Sequence, residues 1–145
     1  MAYDAETTTN DILDGLDLTG RRFVVTGASS GLGEESTRAL AAHGARVTML
    51  ARNPEKNEAA AARVREAVPD ADLELGTVDL ADLASIRSFA AEYLAEHEAI
   101  DVLINNAGVM VCPFGRTADG FETQFGTNHL GHFLLTALLM PALLK

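Results

Sequence analysis

The sequence is poor in lysine and carries a large excess of acidic residues. Lys56 and Lys145 are its only lysines, and 11 basic residues stand against 21 acidic ones, for a formal net charge of −10. Nucleic acids and anionic membrane surfaces attract proteins through basic patches. The charge balance therefore excludes both classes of binding protein, and we expect no nucleic-acid partner.

Cysteine and long apolar runs are also scarce. Cys112 is the single cysteine, which excludes an internal disulfide and a multi-cysteine metal site and is typical of a reducing cytoplasm. The chain does not open with the basic start and apolar core of a signal peptide. Its most apolar stretch, residues 130–144, has 15 residues, whereas a membrane span needs about 20. We expect a cytoplasmic protein without a membrane span, and a buried helix in this stretch.

The composition that remains is typical of one globular domain, with 48% hydrophobic and 22% charged residues. Residues 1–17 form a polar, acidic lead-in, which we expect to be loose or packed late against the surface, and residues 18–145 form the domain. Hydrophobic periodicity predicts four strands and four helices in alternation. The strands are expected at residues 22–26, 46–51, 73–78 and 100–104, and the helices at 33–43, 55–68, 83–97 and 120–144.

The helices have recognisable buried sides and ends. The first should bury Leu32, Ala39 and Leu40 and stop at Gly44, and Pro141 should kink or end the last. The apolar stripe of the second helix consists of Ala60, Val64, Ala67 and Val68.

Strands that alternate with helices at this spacing predict a parallel sheet with right-handed crossovers and helices on both faces. We expect an α/β, Rossmann-like, doubly wound fold with the strand order 3-2-1-4, truncated after the fourth strand and fourth helix. The fourth strand would then be an open edge, and the apolar last helix would lack its usual cover. We therefore expect self-association through this last helix.

A glycine-rich turn follows the first strand. Gly27, Gly31 and Gly33 stand in a GxxxGxG spacing between a β-branched run and a helical pattern. Such a turn leaves backbone N–H groups free at a helix start, where the helix dipole also favours an anion. The turn predicts a phosphate site, although an ordinary strand-to-helix turn without a ligand is the alternative.

A second special loop, Asn105-Asn106-Ala107-Gly108, follows the fourth strand. In the predicted order both loops lie at the carboxyl ends of adjacent strands, where the strand order reverses and ligands bind in such folds. The alternative is a plain strand exit, because Asn and Gly suit the backbone angles of a turn.

These motifs together resemble the short-chain dehydrogenase/reductase family over residues 18–145. The resemblance rests on residues 26–33, Asp79-Leu80, residues 105–108 and Asn128. Residues 117–121 and 128–136 resemble more narrowly its retinol-dehydrogenase-like members. The resemblance implies an NAD(P)-dependent enzyme that moves a hydride between nicotinamide and a small alcohol or carbonyl substrate.

The resemblance also implies a set of cofactor-binding residues. The pyrophosphate and nearby ribose would be lined by Gly27, Ser29, Ser30, Gly31 and Leu32, the adenine by Asp79 and Leu80, and the ribose floor by Asn105, Ala107 and Gly108. Asp79 has a structural alternative as the N-cap of the third helix.

The end of the second strand indicates which dinucleotide is bound. An NAD site holds the ribose 2′-hydroxyl with an acid there, but this chain has Ala51-Arg52-Asn53. This position has no carboxylate to repel a 2′-phosphate, and the Arg52 guanidinium can form an ion pair with a 2′-phosphate. We predict NADP over NAD, with Arg52 and Asn53 at the site; a solvated surface arginine is the alternative.

Asn128 is the candidate catalytic residue, because the family's matching asparagine helps to position a water in a proton relay. A local hydrogen bond on a helix face is the alternative. His129 and His132 lack a third ligand nearby, so we predict packing roles for them and no metal site.

The chain departs from the family pattern at the catalytic residues. The family uses a catalytic Ser and a Tyr-x-x-x-Lys pair, both beyond the fourth helix. These 145 residues do not reach those positions, and no Tyr-x-x-x-Lys occurs among them. Two interpretations remain open: the cofactor-binding part of an NADP-dependent oxidoreductase, or a standalone nucleotide-binding module or inactive truncation without turnover. We expect no turnover from these residues alone.

Overall fold

The computed structural model describes residues 3–145, in which strands and helices alternate. Four strands, β1 (Arg22–Thr26), β2 (Arg46–Ala51), β3 (Leu73–Thr77) and β4 (Val102–Ile104), form one parallel sheet in the order β3-β2-β1-β4. The helices are α1 (Thr9–Leu13), α2 (Gly31–Ala42), α3 (Pro54–Ala67), α4 (Leu83–Glu96), α5 (Thr123–Phe125) and α6 (His132–Leu143), with a π-helical turn (Gly126–Gly131) between α5 and α6. The predicted fold class and strand order are confirmed.

Side-chain alternation along β1 separates two cores. Val24 packs with α4 and α6 on one face of the sheet, and Val25 packs with α2 and α3 on the other. Successive residues of a strand point to opposite faces, so a strand covered on both sides must be apolar throughout. This arrangement is the doubly wound architecture that the sequence predicts.

Two expected core residues are exposed. Leu32, predicted on the buried side of the first long helix, is 80% exposed, because α2 begins at Gly31 and Leu32 therefore lies in its first turn, beside the open end of the sheet. Ala67, at the end of the α3 stripe, is also exposed. The remaining stripe residues predicted for α3, Ala60, Val64 and Val68, are buried or half-buried.

The ends of the elements agree with the prediction to within a few residues, with two exceptions. Strand β4 starts at Val102 rather than at residue 100, because the Ile100 N–H bonds to the carbonyl of Ala142 at 3.0 Å. The predicted last helix is divided into α5, the π-helical turn and α6. Pro141 does not end α6, which continues to Leu143.

The lead-in is packed on the domain over its described part; Met1 and Ala2 lie outside the described residues. The Thr9 hydroxyl donates to the Glu35 carboxylate at 2.6 Å, and Arg38 bonds to both Glu35 and Asn10. These contacts tie α1 to α2. Nowhere in residues 3–145 does a helix have the length and apolar character required to cross a bilayer.

We predict that the tie between α1 and α2 weakens in acid. Hydrogen bonds from Arg38 and then Thr9 lower the pKa of Glu35 from 4.5 to about 2. A carboxylate with a lowered folded-state pKa stabilises the fold above pH 4.5, and this contribution is lost as the pH falls towards 2. The Glu35→Gln variant should therefore have a lower melting temperature than the wild type at pH 7. Because the ion pair is so exposed, the difference should correspond to less than about 1 kcal/mol. This difference in melting temperature should shrink towards zero as the pH falls to 2.

Thermal unfolding of the two proteins across this pH range tests the expectation. Glu58→Gln is the matched control, because Glu58 is an exposed glutamate on α3 outside the contacts between α1 and α2. A melting difference for Glu35→Gln that stays constant with pH would contradict it.

Candidate functional site

A cavity of about 470 Å³ opens at the carboxyl ends of the strands. It lies where the strand order reverses between β1 and β4, which is the predicted ligand position. The lining comes from the turn after β1, the end of β2, the segment after β3, the loop after β4 and the π-helical turn. Its residues are Thr26, Gly27, Ser29, Ser30, Leu32, Leu50, Ala51, Arg52, Val78, Asp79, Leu80, Asn106, Ala107, Gly108, Val109 and Thr127.

The turn after β1 and the loop after β4 touch through their backbones. Gly27 has φ +67°, and a Cβ atom there would lie 2.8 Å from the Cα of Ala107. A Cβ on Gly33 would collide with the carbonyl of Gly27 and lie 2.6 Å from the Asn106 amide nitrogen. Any side chain at these two positions would separate the loops, so glycine is required for both to reach the cavity.

The start of α2 is free to receive an anion. Asn53 caps α3 and Asp82 caps α4 through side-chain hydrogen bonds. Ser30 occupies the equivalent position of α2, but its side chain makes no capping bond. The N–H groups of the first turn are therefore available to a ligand, where the helix dipole adds a favourable field.

Asn106, which sequence reasoning did not select, is the polar residue that joins the two loops. Its amide donates to the carbonyl of Thr26 at 2.9 Å. The predicted Asn105 instead donates to Thr136 at 3.0 Å, and it does not line the cavity. Both asparagines follow the end of β4, where the Asn106 N–H bonds to the carbonyl of Ile104 at 3.0 Å, so no strand periodicity in the sequence distinguishes one from the other.

Thr26 connects the sheet to the loop and to the last helix. Its hydroxyl accepts the N–H of Ala107 at 3.0 Å and lies 2.8 Å from the His132 Nε2 atom. His132 is buried, and its Nδ1 atom is 2.9 Å from the carbonyl oxygen of Asn128. His129, by contrast, is exposed and stacks on Phe125. The two histidines thus have separate neighbours.

Asn128 holds the loop after β4 from the π-helical turn. Its amide accepts the N–H of Val109 and donates to the Val109 carbonyl, both at 2.8 Å. Asn128 itself does not line the cavity, whereas Thr127 and Val109 do. Its polar atoms are therefore occupied in fixing the position of the cavity wall.

The side of the cavity towards β2 and β3 carries one basic and one acidic residue. Arg52 is exposed and lines the cavity; in the part of the chain that the structure describes, it joins none of the ion pairs that hold Arg21, Arg38, Arg46 and Arg63. Asp79 accepts the Ala81 N–H with one carboxylate oxygen. It does not cap α4, since Asp82 occupies that position.

Most of the predicted cofactor residues meet at the cavity. Those that line it are Gly27, Ser29, Ser30, Leu32, Arg52, Asp79, Leu80, Ala107 and Gly108. Gly31, with φ +58°, lies at the edge of a neighbouring cleft between α2 and α3, and Asn53 caps α3. Gly31 and Asn53 are therefore adjacent to the cavity but do not line it.

Comparison with known proteins identifies a family and a set of relatives. A family model described as short chain dehydrogenase matches residues 21–145. Retinol dehydrogenase 12 of Homo sapiens is 49% identical over 128 residues, which are 88% of this chain and 40% of that protein. Short-chain dehydrogenase TIC 32 B, chloroplastic, of Brassica napus is 40% identical over 95% of this chain and 43% of that protein. The chain spans about two fifths of the length of these relatives.

Solved structures have the same fold. A crystal structure of an uncharacterized protein from Mycobacterium paratuberculosis superposes with a TM-score of 0.77 at 48% identity, covering 87% of this chain and 44% of the other. A metagenomic short-chain oxidoreductase in complex with NADP superposes with a TM-score of 0.72 at 35% identity, covering 86% of this chain and 57% of the other.

We predict that Gly33→Ala destabilises the protein. In an unobstructed helix interior the change would stabilise by about 1 kcal/mol, because alanine is the better helix former. Here the added methyl group collides with the Gly27 backbone, and such overpacking costs about 1–3 kcal/mol.

Denaturant unfolding of Gly33→Ala measures the sign of the change directly. Ser36→Ala, on the same helix and half-buried, is the control and should be neutral or slightly stabilising. A Gly33→Ala protein as stable as the wild type would show that the two loops can separate at little cost.

Proposed function

Because the chain belongs to the short-chain dehydrogenase family, we propose that residues 18–145 form the cofactor-binding part of an oxidoreductase. The whole protein would transfer a hydride between the nicotinamide of NADP(H) and a small alcohol or carbonyl compound. The observation that carries the proposal is the cavity where the uncapped start of α2 meets the loop after β4. The relatives named as retinol dehydrogenases support an alcohol or carbonyl substrate.

The residues at the cavity fit a dinucleotide. The free first turn of α2, with Ser29, Ser30 and the glycines of the turn, suits the pyrophosphate, because backbone N–H groups and the helix dipole both favour an anion. The Asp79 carboxylate suits the exocyclic amine of adenine, as an acceptor facing a donor. Ala107 and Gly108 suit the ribose, whereas Asn105, which the sequence predicted in the ribose floor, does not line the cavity and Asn106 does. A bound dinucleotide would supply or accept the hydride through its nicotinamide ring.

Arg52 supports NADP over NAD. It lines the cavity at the end of β2, where an NAD site would carry an acid. Among residues 3–145 no carboxylate forms an ion pair with Arg52, so its guanidinium is available to a 2′-phosphate, which it can bind through two parallel hydrogen bonds. The related oxidoreductase solved with NADP is consistent with this choice.

In the proposed function Asn128 acts on the cavity wall. Both of its amide atoms are bonded to Val109, so the side chain fixes the loop beside the nicotinamide end. A role in positioning a water, which the family resemblance implies, stays a prediction. The geometry supports Asn128 as a residue that orders this wall.

Self-association through α6 belongs to the same proposal. Phe133, Met140 and Leu144 are exposed on or next to this helix, at 68%, 38% and 79%. Over residues 3–145, β4 pairs with β1 alone, and its Val102 is 38% exposed. Apolar surface beside a free strand edge favours association.

Sedimentation velocity at rising protein concentration tests the association. We expect the wild type to associate and Phe133→Ser to shift the equilibrium towards monomer, because the substitution removes the most exposed aromatic ring of the helix. Phe114→Ser is the control, since Phe114 is 79% exposed on the loop after β4 and not on α6. A wild type that stays monomeric at every concentration would contradict the proposal.

Fluorescence titration with NADPH and NADH tests the cofactor choice. We expect the wild type to bind NADPH at least about tenfold more tightly than NADH. Arg52→Ala should weaken NADPH binding by about 10- to 100-fold, since a hydrogen bond to a charged group contributes about 1.5–3 kcal/mol. NADH affinity should change little, because NADH lacks the 2′-phosphate.

Arg87→Ala is the matched control for this titration. Arg87 is an exposed arginine on α4, outside the cavity lining, and its loss should leave both affinities unchanged. Equal binding of NADH and NADPH by the wild type, or an Arg52→Ala variant with undiminished NADPH affinity, would refute the choice of NADP.

A further inference from the structure

His132 is a buried titratable residue to which the proposed cofactor contacts give no role. It is 7% exposed, and each ring nitrogen has one partner: the Asn128 carbonyl oxygen at Nδ1 and the Thr26 hydroxyl at Nε2. It lies at the junction of the π-helical turn and α6. A polar ring in an apolar core is costly unless its hydrogen bonds are made, and here both are made.

The chemistry of the partners determines where the ring hydrogen is. A carbonyl oxygen can only accept, so Nδ1 carries the hydrogen and donates it to Asn128. Burial lowers the pKa of His132, with a smaller opposing effect from the Asn128 carbonyl, so the ring is neutral and Nε2 accepts the Thr26 hydroxyl hydrogen. The Thr26 oxygen in turn accepts the N–H of Ala107. The four groups form one directed chain of hydrogen bonds.

This chain of hydrogen bonds passes through the π-helical turn. In a regular α-helix the Asn128 carbonyl would accept the backbone N–H of His132, four residues on. Here that N–H bonds to the carbonyl of His129, and the Asn128 carbonyl accepts the ring instead. The turn is held at its two ends, because a Cβ on Gly126 would collide with Thr117 and one on Gly131 with the carbonyl of Leu80.

Both ends of the cavity wall formed by residues 107–109 are bonded to residues that His132 contacts: the Thr26 hydroxyl itself, and Asn128, whose main-chain carbonyl His132 bonds and whose side-chain amide holds Val109. Ala107 is bonded to the Thr26 hydroxyl, and Val109 is bonded twice to the Asn128 amide. The wall at residues 107–109 is therefore held by bonds from a strand on one side and from the π-helical turn on the other.

We propose that His132 is a positioning residue of the dinucleotide site, which fixes the wall at residues 107–109 through Thr26 on one side and Asn128 on the other. The inference rests on the proposed function. The wall lies on the opposite side of β1 from Arg52, because β2 and β4 flank β1 in the sheet. His132 accordingly governs the nicotinamide half of the site and leaves the adenosine half unaffected.

Two ligands separate the two halves. In the proposed site NADPH would contact both halves, whereas adenosine 2′,5′-bisphosphate carries the adenosine and 2′-phosphate groups without the nicotinamide. His132→Phe keeps a ring in the core and removes both hydrogen bonds. We expect it to weaken NADPH binding by about tenfold, because the ligand must then order a wall that the two hydrogen bonds no longer fix, and to change adenosine 2′,5′-bisphosphate binding by less than about twofold.

His129→Phe is the matched control. It replaces a histidine on the same turn that is exposed and outside the hydrogen-bonded chain, so both affinities should equal those of the wild type. His132→Gln can form one of the two hydrogen bonds, so it should weaken NADPH binding by a smaller factor than His132→Phe, about threefold. Circular dichroism checks that each variant is folded.

Each outcome of the titrations has a defined meaning. Undiminished NADPH binding by His132→Phe overturns the inference, and so does an equal loss for both ligands, which would indicate a general structural defect. If His132→Phe does not fold, His132→Gln decides, and wild-type NADPH affinity in that variant overturns the inference. A wild type that binds neither ligand refutes the proposed function and the inference together, whereas a wild type that binds both leaves the proposed function intact whatever the variants do.

Discussion

The site depends on the close backbone approach between the turn after β1 and the loop after β4. Gly27 and Gly33 allow it, because a Cβ on either would meet the opposite loop or the turn itself. The contact brings an uncapped helix start and the wall at residues 107–109 to the same cavity. Without it the two loops would be separate surface turns, and neither could enclose a ligand.

Local electrostatics at the cavity differ from those of the whole chain. The protein carries a net charge of −10, which disfavours anions at long range. Near the start of α2, however, Glu34 is paired with Arg63, and Glu35 with Arg38. Arg52 joins none of these pairs, and the helix dipole points its positive end at the same space. An acidic protein can thus present a local anion site, because opposite charges that are paired cancel over a short distance.

The apolar core on the α4 and α6 side encloses one directed chain of hydrogen bonds. Thr26, His132 and Asn128 link a strand, a helix and a loop that lie far apart in the sequence. Hydrogen bonds in a low-dielectric interior are strong when complete and costly when broken, so the chain favours a single arrangement of the wall. The family relationship supports the proposed reaction class, and the proposed role of this network is to order the part of the site that this chain supplies.

The sequence by itself determined the strand order, the glycine turn and the position of the cavity. These follow from local causes: apolar periodicity of 2 and 3.6, a glycine where φ is positive, and the geometry of a parallel sheet. Only the tertiary structure decided that Asn106, and not Asn105, lines the cavity and joins the two loops. It likewise decided the exposure of Leu32, the π-helical turn and the hydrogen bonds of His132. The exposure of Leu32 follows from the residue at which α2 begins, and the others depend on a partner from a distant element, as in the Thr26 and His132 pair or the contact of Gly131 with Leu80. Side-chain direction and helix register respond to such partners, and no local pattern in the sequence records them.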